Sequence, residues 1–256
     1  MRMKLAAFSA MLLAGLVLGA CSKSNDRQMQ GWVEAELIFV SPDEQGRVET
    51  LKVREGDRAK QGDVLFTVDD DLQKADLVVK KTAVDNAQQN FDRAKELLKT
   101  QAGTQKTYDD AEAAVRQAKA NLAWSQTRLT RRNAYSPAAG TIEQVYYRIG
   151  ETVPAGKPVV ALLPPQNLKF RFFAPEPLLP EIKYGETVTI SCDGCDQGLT
   201  AKVSFIARSN EFTPPVIYSL DERAKLVYLI EARPEQPEKF RVGQPVTVTL
   251  PKEPPK

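Results

Sequence analysis

The residues with the most chemical potential are few. The chain has three cysteines and no histidine. Ser-His-Asp and Cys-His nucleophilic catalysis are therefore excluded, as is every His-ligated metal site. Two of the cysteines form the stretch Cys192-Asp193-Gly194-Cys195. A thioredoxin-like redox motif belongs where a strand feeds a helix, whereas Asp-Gly between the cysteines favours a hairpin turn between two strands. A zinc site needs further thiolates or imidazoles, and the remaining cysteine is Cys21. The third reading is a disulfide across the turn, formed in an oxidising compartment. It is preferred to free thiols, as a local staple of little functional weight. The segment Gly150–Lys157 approaches a phosphate-binding loop, but five residues separate Gly150 from Gly156, and the motif has four. Pro158 also stands where a Ser or Thr is required. No catalytic residue, cofactor site or metal site emerges, so the chain reads as non-enzymatic.

Cys21 has a different context. Arg2 and Lys4 precede the apolar run Leu5–Ala20, the pattern of an export signal too short for a membrane span. Leu18-Gly19-Ala20-Cys21 resembles a bacterial lipobox. That resemblance implies cleavage before Cys21, a lipid on Cys21 and attachment to a membrane. Ser22 is not the usual retention residue, but Lys23-Ser24 is similar to an inner-membrane retention signal of some bacterial lipoproteins. Cleavage would remove Arg2 and Lys4, leaving 33 basic against 33 acidic side chains. A balanced charge gives no reason to expect nucleic acid as a partner.

A repeat organises the mature chain. Gly46 and Gly140 lie 94 residues apart, and the same offset pairs Val48 with Ile142, Glu49 with Glu143 and Leu51 with Val145. It continues through Gly56 with Gly150, Ala59 with Val153, Gly62 with Gly156 and Leu65 with Val159. Each copy alternates apolar and polar residues between glycine-marked turns, as short half-buried strands do. Neither copy alone could bury its apolar face, but together they could close a small sandwich. The segments around Gly46 and Gly140 are expected to share a sheet.

Between the copies, no proline occurs from Asp69 to Ser136, and Gly103 is the one glycine before Gly140. Leu77, Val84, Phe91 and Leu98 recur at heptad spacing, as do Tyr108, Val115, Leu122 and Leu129. Ala87, Ala94, Ala111 and Ala118 take the alternating seam positions. This predicts two antiparallel helices in close approach. Asp69–Asp71 suit the first N-terminus, Gly103 its C-cap, Thr107-Tyr-Asp-Asp110 a capping box, and Arg131, Arg132 and Asn133 the closing end. A helix from Asp71 to about Gln101 would be roughly 46 Å long.

The two copies resemble the halves of the biotinyl/lipoyl domain of HlyD-type periplasmic adaptors, also called membrane fusion proteins. "GWVEAELIFVSPDEQGRVETLKVREGDRAKQGDVLFTVDD" is similar to the first half and "SPAAGTIEQVYYRIGETVPAGKPVVALL" to the second. Carrier relatives place a biotin- or lipoate-bearing Lys between the halves; here Asp69-Asp70-Asp71 and the helical insertion stand there. Later, "FAPEPLLPEIKYGETVTI" and "FRVGQPVTVTL" resemble parts of the adaptor's small β-barrel. "SNEFTPP" (Ser209–Pro215) resembles a segment of the ABC-transporter branch. The implied fold is mixed α and β and elongated: a split lipoyl-like β-sandwich, an inserted antiparallel coiled-coil hairpin and a small β-barrel. The expected boundaries are a signal peptide at 1–20, a linker at 21–30 and the first β half at 31–69. The hairpin follows at 70–133, the second β half at 134–164, the barrel at 165–251 and a tail at 252–256.

The resemblance implies partners as well. Arg93, Leu97 and Thr104 near the hairpin tip have the spacing of the adaptor motif that docks a TolC-like outer-membrane channel, with Thr for the usual Ser. Such adaptors also contact an inner-membrane pump and assemble as rings, often hexamers. The short stretches before Gly31 and after Leu250 leave little material for a fourth domain, which favours an ABC-type pump over an RND pump. A coiled-coil envelope lipoprotein without a transport role is the remaining alternative.

Overall fold

The structure, a computed structural model, describes residues 27–212 and 226–251. These fall into two units, one spanning Ala35–Leu168 and the other formed by the described residues on either side of it.

The first unit contains two four-stranded antiparallel sheets. Its strands are β2 (Ile38–Val40), β3 (Gly46–Leu51), β4 (Arg58–Ala59), β5 (Val64–Val68), β6 (Asn133–Tyr135), β7 (Gly140–Val145), β8 (Thr152–Val153) and β9 (Val160–Leu163). One sheet has the order β2-β9-β7-β4 and the other β6-β5-β3-β8. The segments around Gly46 and Gly140 therefore do not share a sheet, contrary to the expectation. Each half instead lends two short strands to the other's sheet, β2 and β4 one way and β6 and β8 the other. β8 pairs β3 through Gly46↔Val153 and Arg47↔Thr152, and β4 pairs β7 through Ala59↔Gly140 and Arg58↔Thr141. The two exchanges are images of one another under the 94-residue offset.

The core follows the same rule. Its buried cluster is Val48, Ala59, Leu65, Phe66 and Val68 with Ile142, Val153, Val159, Val160 and Leu162. Every member has its counterpart at that offset, so each half supplies the same positions to one shared interior. The turns match too. Gly56 N–H donates to Ile142 C=O at 2.7 Å, and Gly150 N–H to Val48 C=O at 2.8 Å. Both glycines have positive φ, +89° and +93°, which an L side chain adopts only at a cost.

Two helices leave this sandwich, α1 (Asp71–Lys99) and α2 (Gln105–Thr130). The 29 residues of α1 span about 43 Å. Every large seam residue predicted from the heptads is buried or half-buried. Phe91 and Tyr108 meet across the pair with ring centroids 5.2 Å apart, and Ala94 and Val115 are buried.

The second unit is a closed six-stranded barrel in the order β1-β10-β13-β12-β11-β14. Its strands are β1 (Gln28–Ala35), β10 (Leu168–Pro175), β11 (Thr187–Ser191), β12 (Leu199–Phe212), β13 (Leu226–Pro234) and β14 (Pro245–Thr249). The expected division of residues 21–69 into linker and first β half is corrected here. β1 is a barrel strand, running antiparallel to β14 from Gln28↔Thr249 to Trp32↔Pro245. Met29 and Val33 alternate into the interior. Gly31 lies between them because a Cβ there would come within 2.6 Å of the Arg171 carbonyl oxygen and 2.7 Å of Phe172 Cβ. A 3-10 helix, Glu176–Glu181, follows β10.

A substitution pair tests the sandwich. At Gly140 a Cβ would sit 2.5 Å from the Leu163 carbonyl oxygen, whereas at Gly56 it would meet nothing within 4 Å. Gly140→Ala is expected to cost about 3 kcal/mol in denaturant unfolding and Gly56→Ala about 1 kcal/mol from φ strain alone. Equal costs would contradict the close strand approach at Gly140.

Candidate functional site

The helical hairpin is the feature that the sandwich is built to hold, and its two ends have different chemistry. At the root, Thr67 of β5 pairs with Asn133 of β6, and Val68 N–H donates to the Arg132 carbonyl at 2.9 Å. Exit and return points are thus adjacent. Glu44, on the loop between β2 and β3, clasps this base. Its carboxylate accepts from Arg128 Nε at 2.7 Å and Arg128 Nη2 at 3.0 Å, and lies 3.4 Å from Arg132 Nη2. Gln73 of α1 donates to Glu44 Oε2 at 3.3 Å. Arg132 Nη1 also donates to the Gln45 carbonyl at 3.1 Å, and Arg131 pairs with Asp43 at 3.1 Å. Both helices are therefore fastened to one loop, α2 by a forked guanidinium contact of the geometry that carboxylates bind best and α1 by the Gln73 amide. Arg128 also stacks 4.7 Å over the Trp124 ring.

The hydrogen bond from Arg128 holds the Glu44 carboxyl below its ordinary value; burial opposes this, and the charges of Arg128 and Arg132 and the Gln73 amide add to it. Arg128 is correspondingly raised, first by its bond to Glu44.

At the tip, the polypeptide turns over the Leu97 carbonyl. That oxygen accepts from Ala102 N–H at 2.8 Å, Gly103 N–H at 3.0 Å and Thr100 Oγ1 at 3.1 Å. The helix ends two residues earlier than expected. Thr100 is the cap and Gln101 takes the positive φ of +58°. Gly103 is not the cap. Its lack of a Cβ matters because that atom would sit 3.0 Å from Leu97 Cβ. The capping box expected at Thr107 also shifts: Thr104 is the N-cap, and its Oγ1 accepts from Thr107 N–H at 3.2 Å. The hydroxyl groups of Thr104 and Thr107 are 2.8 Å apart. At the other end of α1, Asp70 caps by position without a side-chain bond, while Asp69 Oδ1 accepts from Asp71 N–H at 3.2 Å.

Of the predicted docking residues, Arg93 and Leu97 share a helix face by their spacing, and Leu97 is 42% exposed. Arg93 is exposed and forms no ion pair among the described residues. Thr104 joins them through Gly103 and the Leu97 carbonyl, with its hydroxyl acceptor already engaged in capping. Cys192 and Cys195 are joined as a disulfide on the turn between β11 and β12. Cys21, with the expected signal peptide at 1–20 and the expected tail at 252–256, lies outside the described residues, as does the end of the Ser209–Pro215 segment. No cluster of acidic and thiol side chains able to hold a metal ion occurs among the described residues. No described helix is long and apolar enough to cross a membrane.

Glu44 gives the root a pH dependence of definite sign. A carboxyl depressed on folding adds stability that is complete above its unfolded pKa and is lost as pH falls through the lower folded value. The melting temperature is expected to drop between about pH 5 and about pH 3 more steeply in the native chain than in Glu44→Gln. Parallel acid limbs for the two proteins would show that the clasp carries no such linkage.

Residues 36–163 match the family described as RND MFP, barrel-sandwich hybrid domain. The chain is 25% identical to a UPF0194 membrane protein of Acidithiobacillus ferridurans, over 86% of this chain and 86% of that protein. In fold it is similar to the membrane fusion protein Spr0693 of Streptococcus pneumoniae R6, with a TM-score of 0.70 at 17% identity, covering 89% of this chain and 99% of the other. It is also similar to a MacA–MexA chimera that carries the Pseudomonas aeruginosa MexA α-hairpin domain, with a TM-score of 0.70 at 22% identity over 88% of this chain and 81% of that one. The sandwich built from two offset halves, the hairpin between them and the matched domain lead to one assignment: the chain belongs to the membrane fusion protein family, the periplasmic adaptors.

Proposed function

We propose that this chain is a lipid-anchored periplasmic adaptor linking an inner-membrane ABC-type pump to a TolC-like outer-membrane channel. The lipid is on Cys21, the hairpin tip engages the channel, and copies of the chain form a ring of six. The adaptor performs no catalysis of its own. One observation carries this reading. A hairpin about 43 Å long ends in an exposed arginine and leucine on one face, beside a tightly hydrogen-bonded turn. Such a hairpin has too little interior to be its own purpose, and its end is the part free to bind. Arg93 supplies forked donors for carbonyls or carboxylates, Leu97 fills an apolar notch, and Thr104 presents its hydroxyl beside that of Thr107.

The family description names RND adaptors, and this favours a second reading in which the pump is an RND permease. Co-purification from native membranes separates the two. An ATPase in the recovered complex supports the ABC reading, and an RND permease without an ATPase overturns it.

Docking at the tip has its own test. Arg93→Glu and Leu97→Asp are each expected to weaken cross-linking to the channel at least tenfold, because one charged contact or one buried apolar anchor is worth about 2 kcal/mol. Helix content should not change, and Thr104→Ser should bind as the native chain does. Undiminished cross-linking in both charge variants would remove the tip from the interface. Lipidation is tested separately: incorporation of labelled palmitate is expected in the native chain and absent in Cys21→Ser.

A further inference from the structure

The disulfide between Cys192 and Cys195 has surroundings that a staple does not need. It closes a ring of only four residues on an exposed turn, so little loop entropy favours it. The turn between β13 and β14 brings Gln244 against it. Gln244 Nε2 lies 3.3 Å from Cys192 Sγ and 3.3 Å from Cys195 Sγ. The orientation of that amide is set from its other side, because Gln244 Oε1 accepts the Arg241 backbone N–H at 3.1 Å. The NH2 group is therefore the part that faces sulfur.

A disulfide sulfur is a weak acceptor and gains little from such a donor. A thiolate gains far more, since a hydrogen bond to a charged group is about twice as strong as a neutral one. The contact thus favours the reduced, ionised pair over the oxidised one, and stabilising the reduced form is what makes a disulfide easily reduced. Access is also provided. Both cysteines are only half-buried, and Cys195 lines an open cavity of about 550 Å³ together with Gly194, Lys239, Arg241 and Gln244. The charges around the pair nearly cancel. Lys239 is bound to Asp196 at 2.8 Å, which leaves Arg241 on the cavity wall and Asp193 on the turn itself. The amide donor is therefore the deciding influence.

We propose that Cys192–Cys195 is a thiol–disulfide exchange site, and that its partner is a dithiol oxidoreductase of the thioredoxin class. The pair lies in a β-turn and not at a helix N-terminus, so it lacks the dipole that activates an attacking cysteine. It serves as the substrate of the exchange. A partner thiolate enters through the cavity and attacks Cys195 Sγ. The Cys192–Cys195 bond breaks, and Cys192 leaves as a thiolate held by Gln244 before it takes up a proton. The partner's second thiolate then displaces Cys195 from the mixed disulfide. Two electrons pass to this chain, and the partner departs oxidised. Gln244 and the Asp196–Lys239 pair connect the β11–β12 turn to the β13–β14 turn, so these contacts do not depend on the S–S bond.

The test is an equilibration of the full chain in mixtures of oxidised and reduced dithiothreitol, read by mass after alkylation. The synthetic peptide of residues 191–196 is the reference. The native pair is expected to be half reduced at a ratio of reduced to oxidised reagent about tenfold lower than the peptide requires. Gln244→Leu is expected to return it to the peptide's ratio. A native pair as hard to reduce as the peptide, or a folded Gln244→Leu with an unchanged ratio, would overturn the proposal. If Gln244→Leu does not fold, Cys192→Ser provides the decision through the pH dependence of Cys195 alkylation. An apparent pKa clearly below the ordinary thiol value of about 8.5 supports the site, and one at or above it overturns it.

Discussion

The antiparallel pairing of β5 with β6 governs the architecture of the first unit. It ties the residue where the chain leaves the sandwich to the residue where it comes back, Thr67 opposite Asn133. Whatever lies between must therefore form a closed excursion. With heptad seams on both limbs, the excursion that buries apolar surface is a pair of antiparallel helices. The pairing fixes where the hairpin begins and ends but not its direction. Glu44 supplies that, because Gln73 of α1, Arg128 of α2 and Arg132 just beyond α2 converge on its carboxylate. A short loop between two strands thereby orients an element that extends some tens of ångströms beyond it.

The doubled sandwich explains why such a root is firm. Each half has an incomplete sheet until the other lends it two strands, Ile38–Val40 and Arg58–Ala59 one way and Asn133–Tyr135 and Thr152–Val153 the other. Pulling the halves apart would break all four of these pairings and open the common interior at once. Such pairing is mutual, so damage on one side of the offset is felt on the other. The long hairpin is thus borne by two interlocked halves, and neither could resist a sideways load alone.

Much of this was legible in the residues. The offset of 94 located the paired core, because buried positions in the two halves obey the same steric demands. The heptads located the helices, because a two-helix seam requires its large residues at that period. Three features were not legible. The alternation of Met29, Gly31 and Val33 is the same in a sandwich strand and in a barrel strand, and only the distant partner β14 distinguishes them. The exchange of β4 and β8 involves strands of two residues, too short to have a period. Glu44 sits in a loop 84 residues from Arg128, and local pattern says nothing about such a meeting. The one available hint was composition: an acidic pair, Asp43-Glu44, and a basic cluster, Arg128, Arg131 and Arg132, in a chain otherwise balanced in charge. The caps moved for a related reason. Turn propensity singled out Gly103 as the cap, but it has neither the cap position nor a left-handed backbone, and what it provides is close approach to Leu97.

The closing of the barrel by β1 and β14 has a kinetic side. Gln30 and Thr247, which exchange side-chain hydrogen bonds across this seam, are 217 residues apart in the chain. During biosynthesis the amino-terminal strand emerges long before its mate exists, while the sandwich and hairpin can assemble as soon as residue 168 is available. The barrel must therefore mature last, after paying the loop-closure entropy of its most distant pairing. Until then Gln28–Ala35 can pair with β10 on one side, but its edge toward β14 keeps free backbone donors and acceptors. That interval, more than any weakness of the finished molecule, is when the chain is most open to aggregation or to a chaperone.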